Sequence, residues 1–436
     1  MIAIPSFRPA FMGAASPFPV PITHILEVGD SITNRSTVRD TGWNSMSTNP
    51  SGWGAALRTV SGQRLQGIMR PSTGLTGSVA GNDRDFGYDG IDAIQYRLGA
   101  ASGPGASWLG SHVPIEAVEA AAATAPVGTV IVCHIGTNDL TAATASVTRD
   151  RVVALWARLV ATGLPVVGTD ILQRCAAYSG WTTTLRDRVN ETNALLRAAW
   201  RSSGLAAYRQ WDDLIDKDGS GYAATTEFPN DYIHPTTRTG YRLAVDLWSL
   251  LQPYVTASPF AIPASGSASW VTPNPYVTGG TTLATSWEAN SLGTLGTNYT
   301  VAKVTDGDGT VWQRLNVLTA NSQETIGLRA RITSGIPAVG TACRITARFR
   351  MAAGQQASSV CLLVHQNGAA KAWFDGISHG GATATVSPIR EIDGSWRFLS
   401  EPFTIQTGTV HVWCLVAIKN SGPATIDFRE AGIFIV

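Results

Sequence analysis

Lysine is nearly missing from this sequence. It stands only at Lys217, Lys303, Lys371 and Lys419, so almost all basic charge is arginine. Charge of either sign is sparse. Asp, Glu, Lys and Arg make up 14% of residues, and the formal net charge is +1. That balance gives no general attraction for a nucleic acid backbone or an anionic membrane, and neither is expected as a partner. Cysteine is scarce too: Cys133, Cys175, Cys343, Cys361 and Cys414 are the whole set, with no CxxC pair among them. Zinc-ribbon and thioredoxin readings therefore lack support. Four of the five lie in apolar, strand-like runs, so buried free thiols are expected, with a bridge among the last three as the alternative. No uninterrupted apolar run is long enough to span a membrane. Residues Met1 to Pro21 are apolar but broken by Pro5, Pro9, Pro17, Pro19 and Pro21. They lack a basic stretch followed by a clean apolar core, so an extended arm is expected there rather than a secretory signal.

What is present describes a folded chain. Apolar residues reach 44% of 436 residues, too many for one ordinary core, so two domains are expected. From Ile22 to Tyr254 strand-like runs alternate with helical ones. Ile22–Val28, Leu65–Ile68, Thr129–Ile135, Leu164–Ile171 and Leu205–Tyr208 have strand character. Gly54–Val60, Ile91–Leu98, Ile115–Ala123, Val147–Val160, Leu185–Trp200 and Tyr241–Leu251 have helical spacing. Such alternation predicts a mostly parallel sheet with helices on both faces. Residues 255–269 are rich in Pro, Ala and Ser and are expected to be a linker. Beyond it, residues 270–436 show no convincing helix. Short alternating runs such as Cys343–Met351, Trp396–Ile405, Val410–Ile418 and Ala424–Val436 predict a β-sandwich, expected to be a jelly roll.

Three short blocks carry the chemistry. Gly29-Asp30-Ser31-Ile32-Thr33 ends the first strand, which puts Ser31 at the carboxyl edge of a sheet, where open α/β folds present their crevice. Gly136-Thr137-Asn138-Asp139 ends another strand. Asp231-Tyr232-Ile233-His234-Pro235 precedes the last helix of the first domain. Acyl transfer needs an oxygen nucleophile, a base for its proton and a group that orients the base. Ser31, His234 and Asp231 match those needs, and a side-chain amide such as Asn138 can donate to the oxyanion.

Together with a glycine in Phe86-Gly87-Tyr88-Asp89-Gly90, these blocks resemble the SGNH (GDSL-like) hydrolases, in the family's order and over residues 22–254. The resemblance implies a flavodoxin-like three-layer α/β/α fold and ester hydrolysis, often of acetyl groups on carbohydrates, with no cofactor and no metal. It implies Ser31 as nucleophile, His234 as base and Asp231 as its orienter. The oxyanion hole would be the Ser31 N–H, the Gly90 N–H (or Gly87) and the Asn138 side chain. Tyr88-Asp89 departs from the family's small residue and would narrow the mouth of the site. An acetylated polysaccharide or another ester is then the expected partner, which points to action outside the cell or on a virion; compartment and oligomeric state are not legible. Lipase, thioesterase or arylesterase activity on the same fold is the alternative, as is a non-enzymatic glycan-binding or phage tail protein. The sandwich is loosely similar to jelly-roll carbohydrate-binding modules, with attachment as its other reading.

The neighbours have plainer roles. Asp30 and Asp139 are expected to accept backbone N–H bonds, His24 and His134 to be buried, and Asp170 to be a polar loop residue. Asp216-x-Asp218-x-Ser220-Gly221 with Glu227 matches calcium-loop spacing, but its flanks do not form a helix pair and no metal is expected. Asp306-Gly307-Asp308-Gly309 predicts a hairpin turn. Trp43, Trp53, Trp181 and Tyr232 are candidates for stacking on sugar, or equally for packing.

Overall fold

The computed structural model describes residues 17–18, 21–34, 53–62, 64–68, 86–88, 91–99, 109–225, 227–228, 232–235, 237–257, 261–290, 296–319, 321–351, 357–367, 371–378, 394–399, 403–420 and 422–436. The first part is a parallel sheet. Its strands are β1 (His24–Gly29), β2 (Gln66–Gly67), β3 (Phe86–Gly87), β4 (Thr129–His134), β5 (Val166–Thr169) and β6 (Ala207–Arg209), in the order β2-β1-β4-β5-β6. The short β2 and β3 both pair with β1, at its beginning and its end respectively. Counting that pair as one position gives the order 2-1-3-4-5, which is flavodoxin-like.

Burial explains the apolar runs. All six residues of β4 are buried, as expected of a parallel strand covered on both faces. Leu26, Val28, Ile131 and Cys133 face one core, while Ile25, Val130 and Val132 face the other. The first core is closed by α3 (Ala93–Leu98), α4 (Pro114–Ala123), α5 (Ala145–Val160) and α6 (Thr183–Ala199). The second is closed by α2 (Trp53–Val60) and α7 (Thr237–Leu251). The remaining helix, α1 (Ser31–Asn34), follows β1 directly. Caps set several starts: Asp92 accepts the Gln95 N–H at 2.7 Å, and Thr144 and Thr182 cap α5 and α6. Within β1, the buried Glu27 pairs with Arg58 of α2 at 2.5 Å.

The second part is the β-sandwich. Its strands are β7 (Glu288–Asn290), β8 (Tyr299–Thr305), β9 (Val311–Val317), β10 (Asn321–Ile332), β11 (Ala342–Met351), β12 (Ala357–Asn367), β13 (Lys371–Ser378), β14 (Gly394–Leu399), β15 (Phe403–Thr404), β16 (His411–Asn420) and β17 (Ala424–Ile435). They form two antiparallel sheets, β13-β12-β16-β10-β7 and β14-β11-β17-β9-β8, with β15 added on β11. Both contribute to one core that includes Leu328, Val364 and Val416 from one sheet and Leu315, Phe349 and Phe428 from the other. The turn at Asp306 joins β8 to β9, with the Gly309 N–H on the Asp306 carbonyl at 2.9 Å. Cys133, Cys175, Cys343 and Cys414 are buried free thiols; the Cys361 side chain lies outside the described residues. Among the described residues no helix is long and apolar enough to cross a membrane.

Candidate active site

The loops after β1, β4 and β6 meet at the carboxyl edge of the sheet. Ser31 opens α1, directly after Gly29-Asp30. A Cβ on Gly29 would stand 2.1 Å from the His134 carbonyl oxygen and 2.3 Å from Thr33 Oγ1, so only glycine passes between β4 and the turn. Asp30 shapes that turn: its Oδ1 accepts the Ile32 N–H at 3.0 Å and its carbonyl accepts the Thr33 N–H at 3.1 Å. The Ser31 N–H belongs to the donors at a helix start that have no intrahelical acceptor. Ser31 itself is nearly buried.

His234 arrives from a stretch 203 residues away, and its Nε2 lies 2.8 Å from Ser31 Oγ. The turn that presents it is unusual. Tyr232 has φ +64°, a left-handed conformation rare outside glycine. Two backbone bonds hold it there: the Tyr232 N–H donates to the Phe228 carbonyl at 3.1 Å, and the Cys175 N–H donates to the Tyr232 carbonyl at 3.2 Å. The loop after β5 thus fastens the histidine turn. Asp231 lies outside the described residues, as do Gly90 and Trp43.

Asn138 stands at the end of β4 on the same edge. Its Nδ2 donates to the Ile91 carbonyl at 2.9 Å. An amide nitrogen carries two hydrogens, so this bond orients the group and leaves a second donor. The bond also draws Asn138 to the segment that follows Gly90. Gly87 pairs with Gly29 in the β3–β1 ladder, and the Tyr88 N–H donates to the Gly29 carbonyl at 3.1 Å. The second block thus runs beside the Ser31 turn. Tyr88 does not narrow the mouth of the site: it is fully buried, with its hydroxyl 3.0 Å from His112 Nε2.

Burial sets the ionisation of the neighbours. Asp30 is held up to about 7 by burial, against the pull of the Ile32 N–H and the Arg174 charge. Burial lowers His134 to about 4, and its Nδ1 lies 2.8 Å from Thr169 Oγ1, so it is a neutral core histidine. Asp139 fixes its loop, accepting the Ala93 N–H at 2.9 Å and Arg151 at 3.1 Å; burial raises it to about 6.

For Trp53 and Trp181 packing is the role found. Trp53 has no exposed surface and packs on Trp211, so it offers no face to a sugar. Trp181 is buried as well: its indole N–H donates to Gln173 Oε1 at 3.0 Å, and the Arg174 guanidinium covers its ring at 4.6 Å. Tyr232 is half-buried against the second core. Asp170 is the polar loop residue that follows β5, buried and held by Arg197 and by the Tyr208 hydroxyl at 2.8 Å. The Asp216–Glu227 stretch is closed by Arg242, which pairs with Asp216 at 3.0 Å and Glu227 at 3.1 Å. One residue escaped the sequence reading altogether. Arg174 is buried behind the Asn138 loop and donates to the Thr137 carbonyl at 2.9 Å. Its partner lies 37 residues away, and no local pattern announces that contact.

Neither a family model nor a curated protein matches the sequence. Solved structures do match in part. A lipolytic G-D-S-L family protein from Veillonella parvula is 20% identical, over 54% of this chain and 99% of that one, with a TM-score of 0.32. The CBM22-1 xylan-binding domain of Xyn10C from Paenibacillus barcinonensis is 12% identical over 40% of this chain and 98% of its own, with a TM-score of 0.26. Against the enzymatically active domain of bacteriophage CBA120 tailspike protein 4 the identity is 10% and the TM-score 0.24, over 35% of this chain; the chain spans only 20% of that protein. Likenesses at this level assign no activity.

Proposed function

We propose that the chain is a serine ester hydrolase acting on O-acetyl groups of a polysaccharide. The observation that carries the reading is the 2.8 Å approach of His234 Nε2 to Ser31 Oγ at the carboxyl end of β1. A serine hydroxyl is a poor nucleophile unless its proton leaves as it attacks, and an imidazole within hydrogen-bond reach can take it. Ser31 Oγ bonds to the ester carbonyl carbon while its proton passes to His234. The tetrahedral oxyanion is met by the Ser31 N–H, the Gly90 N–H and the second Asn138 amide hydrogen. Collapse breaks the bond to the sugar oxygen, which takes the proton from His234. Water then attacks the acyl-enzyme and gives a proton to His234, which passes it to Ser31 Oγ as the acyl–oxygen bond breaks, releasing acetic acid and free Ser31. Asp231, three residues before His234, is the group proposed to orient the imidazole. The sandwich is proposed to hold the polymer, raising its effective concentration at the site.

The test is acetate release from acetylated polysaccharides, with p-nitrophenyl acetate as the small control. Ser31→Ala and His234→Ala should each remove nearly all turnover with folding intact. Asn138→Ala should lower kcat by about a hundredfold to a thousandfold. A Ser31→Ala variant that keeps most of its activity would rule the mechanism out. Turnover of the small ester alone would keep the hydrolase and discard the polysaccharide.

A further inference from the structure

Two consecutive residues in the loop after β5, Arg174 and Cys175, hold two of the turns that meet at the sheet edge. The Cys175 N–H donates to the Tyr232 carbonyl at 3.2 Å, two residues before His234. The Arg174 guanidinium donates through Nη2 to the Thr137 carbonyl at 2.9 Å, one residue before Asn138. The loop they stand on is itself fixed. The Gln173 N–H donates to Asp212 Oδ1 at 2.7 Å, and the Arg174 carbonyl accepts the Ala223 N–H at 3.1 Å.

Folding alone does not favour an arginine here. Arg174 is buried, and taking a charge out of water carries a desolvation penalty that a well-packed apolar side chain avoids. What the guanidinium adds is a planar donor of fixed direction. It is clamped against two rings, Trp181 at 4.6 Å and Tyr178 at 5.0 Å, and the Trp181 indole N–H is tied in turn to Gln173 Oε1 at 3.0 Å. The Thr137 carbonyl that it meets lies in one rigid plane with the Asn138 nitrogen and Cα. Fixing that carbonyl fixes the direction in which the Asn138 side chain leaves the backbone. Gly136, just before, has φ +119° and imposes little direction of its own. The far end of Asn138 is held by the Ile91 carbonyl at 2.9 Å, so the side chain is gripped at both ends.

We propose that Arg174 is the positioning residue of the oxyanion hole: it sets the Thr137–Asn138 peptide plane and so aims the second hydrogen of the Asn138 amide at the tetrahedral oxyanion. The inference rests on the hydrolase reading above and adds to it a residue that acts without touching substrate. Arg151 and Arg188 also grip this loop, at the Asp139 carboxylate (3.1 Å) and the Leu140 carbonyl (2.5 Å). They hold it from beyond Asn138, whereas Arg174 holds the peptide that leads into it. The effect of Arg174 on turnover therefore runs through Asn138 and vanishes once that amide is gone.

A double-mutant cycle on p-nitrophenyl acetate tests this, with wild type, Arg174→Met, Asn138→Ala and the double variant of the full chain. Methionine keeps an unbranched side chain between the rings and cannot donate. Arg174→Met should lower kcat about tenfold to a hundredfold and leave KM within about twofold. In the Asn138→Ala background the same change should lower kcat by less than about twofold. A loss that acted through folding, or through the nearby Asp30 charge, would recur at full size in both backgrounds and would overturn the proposal. So would a rise in KM with kcat unchanged. Should Arg174→Met fail to fold, Arg174→Lys carries the same cycle. Its ammonium fixes no plane, so kcat should drop about fivefold with Asn138 present and not without it; no drop would overturn the proposal. Amide exchange gives a readout that needs no turnover. The N–H groups of Asp139, Ala142 and Ala143 donate to carbonyls within this loop and should exchange about tenfold faster in Arg174→Met than in wild type. Equal exchange would overturn the positioning role even where the ester is no substrate and the hydrolase reading has failed by itself. An Asn138→Ala variant at full activity would remove the oxyanion donor, and this proposal with it, while leaving Ser31 and His234 to their own tests.

Discussion

Asp30 shows how one residue serves the site at a cost to the fold. Its Oδ1 is needed, since it accepts the Ile32 N–H and so shapes the turn that carries Ser31. Oδ2 is buried and has no hydrogen-bond partner among the described residues. Burial raises the carboxyl to about 7. In the unfolded chain it ionises near the ordinary value of 3.8, so between about pH 4 and 7 the folded protein holds the extra proton. Stability contributed by this group is present below that window, falls as pH rises through it, and levels off above it. His134 has the opposite sign: lowered to about 4, it costs stability as pH falls from 6.5 towards 4. Comparing wild type with Asp30→Asn isolates the first effect, because asparagine keeps the acceptor for Ile32 and cannot ionise. The variant should gain on wild type between pH 4 and 7, by up to about 4 kcal/mol at pH 8. Urea midpoints across that range check it, and parallel curves would remove the burial account.

Among the elements, β1 positions the site most directly, and its last residue is the sharpest constraint. Gly29 faces a backbone carbonyl of β4, which cannot swing away as a side chain could. Gly29→Ala should push β1 from β4, destabilise the protein by about 1 to 3 kcal/mol and lower kcat through the displaced serine. Thermal melting with p-nitrophenyl acetate kinetics tests this, and an unchanged melting temperature would show that the strands accommodate the methyl group. Such elements were legible because their signals are local. The run Thr129–Ile135 is almost wholly apolar because both faces of a parallel strand are buried, while Ile22–Val28 is broken by Thr23, His24 and Glu27 and shows as a strand by its β-branched residues. The Asp-Ser and Thr-Asn blocks follow such strands directly and so stand at the carboxyl edge of the sheet, where open α/β folds present their crevice. The expected strand Leu164–Ile171 is shorter in the structure, Val166–Thr169, although the Asp170 N–H still donates to the Arg209 carbonyl at 3.0 Å; its carboxylate meets Arg197 and Tyr208, partners that no local pattern announces. Part of the sandwich was hidden for the same reason. Strand β10 begins Asn321-Ser322-Gln323-Glu324, too polar to stand out, and is held in place by pairing with β16. The packing roles of Trp53 and Trp181 depend on Trp211 and Arg174, partners distant in sequence.

At the scale of the whole molecule the apolar interior comes in separate clusters. Two flank the parallel sheet, and the third lies within the sandwich and shares no residue with them. Cores that do not share side chains need not melt together. Phe349 is a means to ask whether they do. It is fully buried in the sandwich core, on β11 between Arg348 and Arg350 of the outer face. Phe349→Ala should cost that core about 3 to 5 kcal/mol. Calorimetry should show two transitions in wild type, with only one moved downward in the variant. Between the two melting temperatures the variant should still hydrolyse p-nitrophenyl acetate at the wild-type rate, because the Ser31–His234 pair rests on the other cores. A single transition, with hydrolysis lost as the sandwich melts, would mean that the two parts stand or fall as one unit.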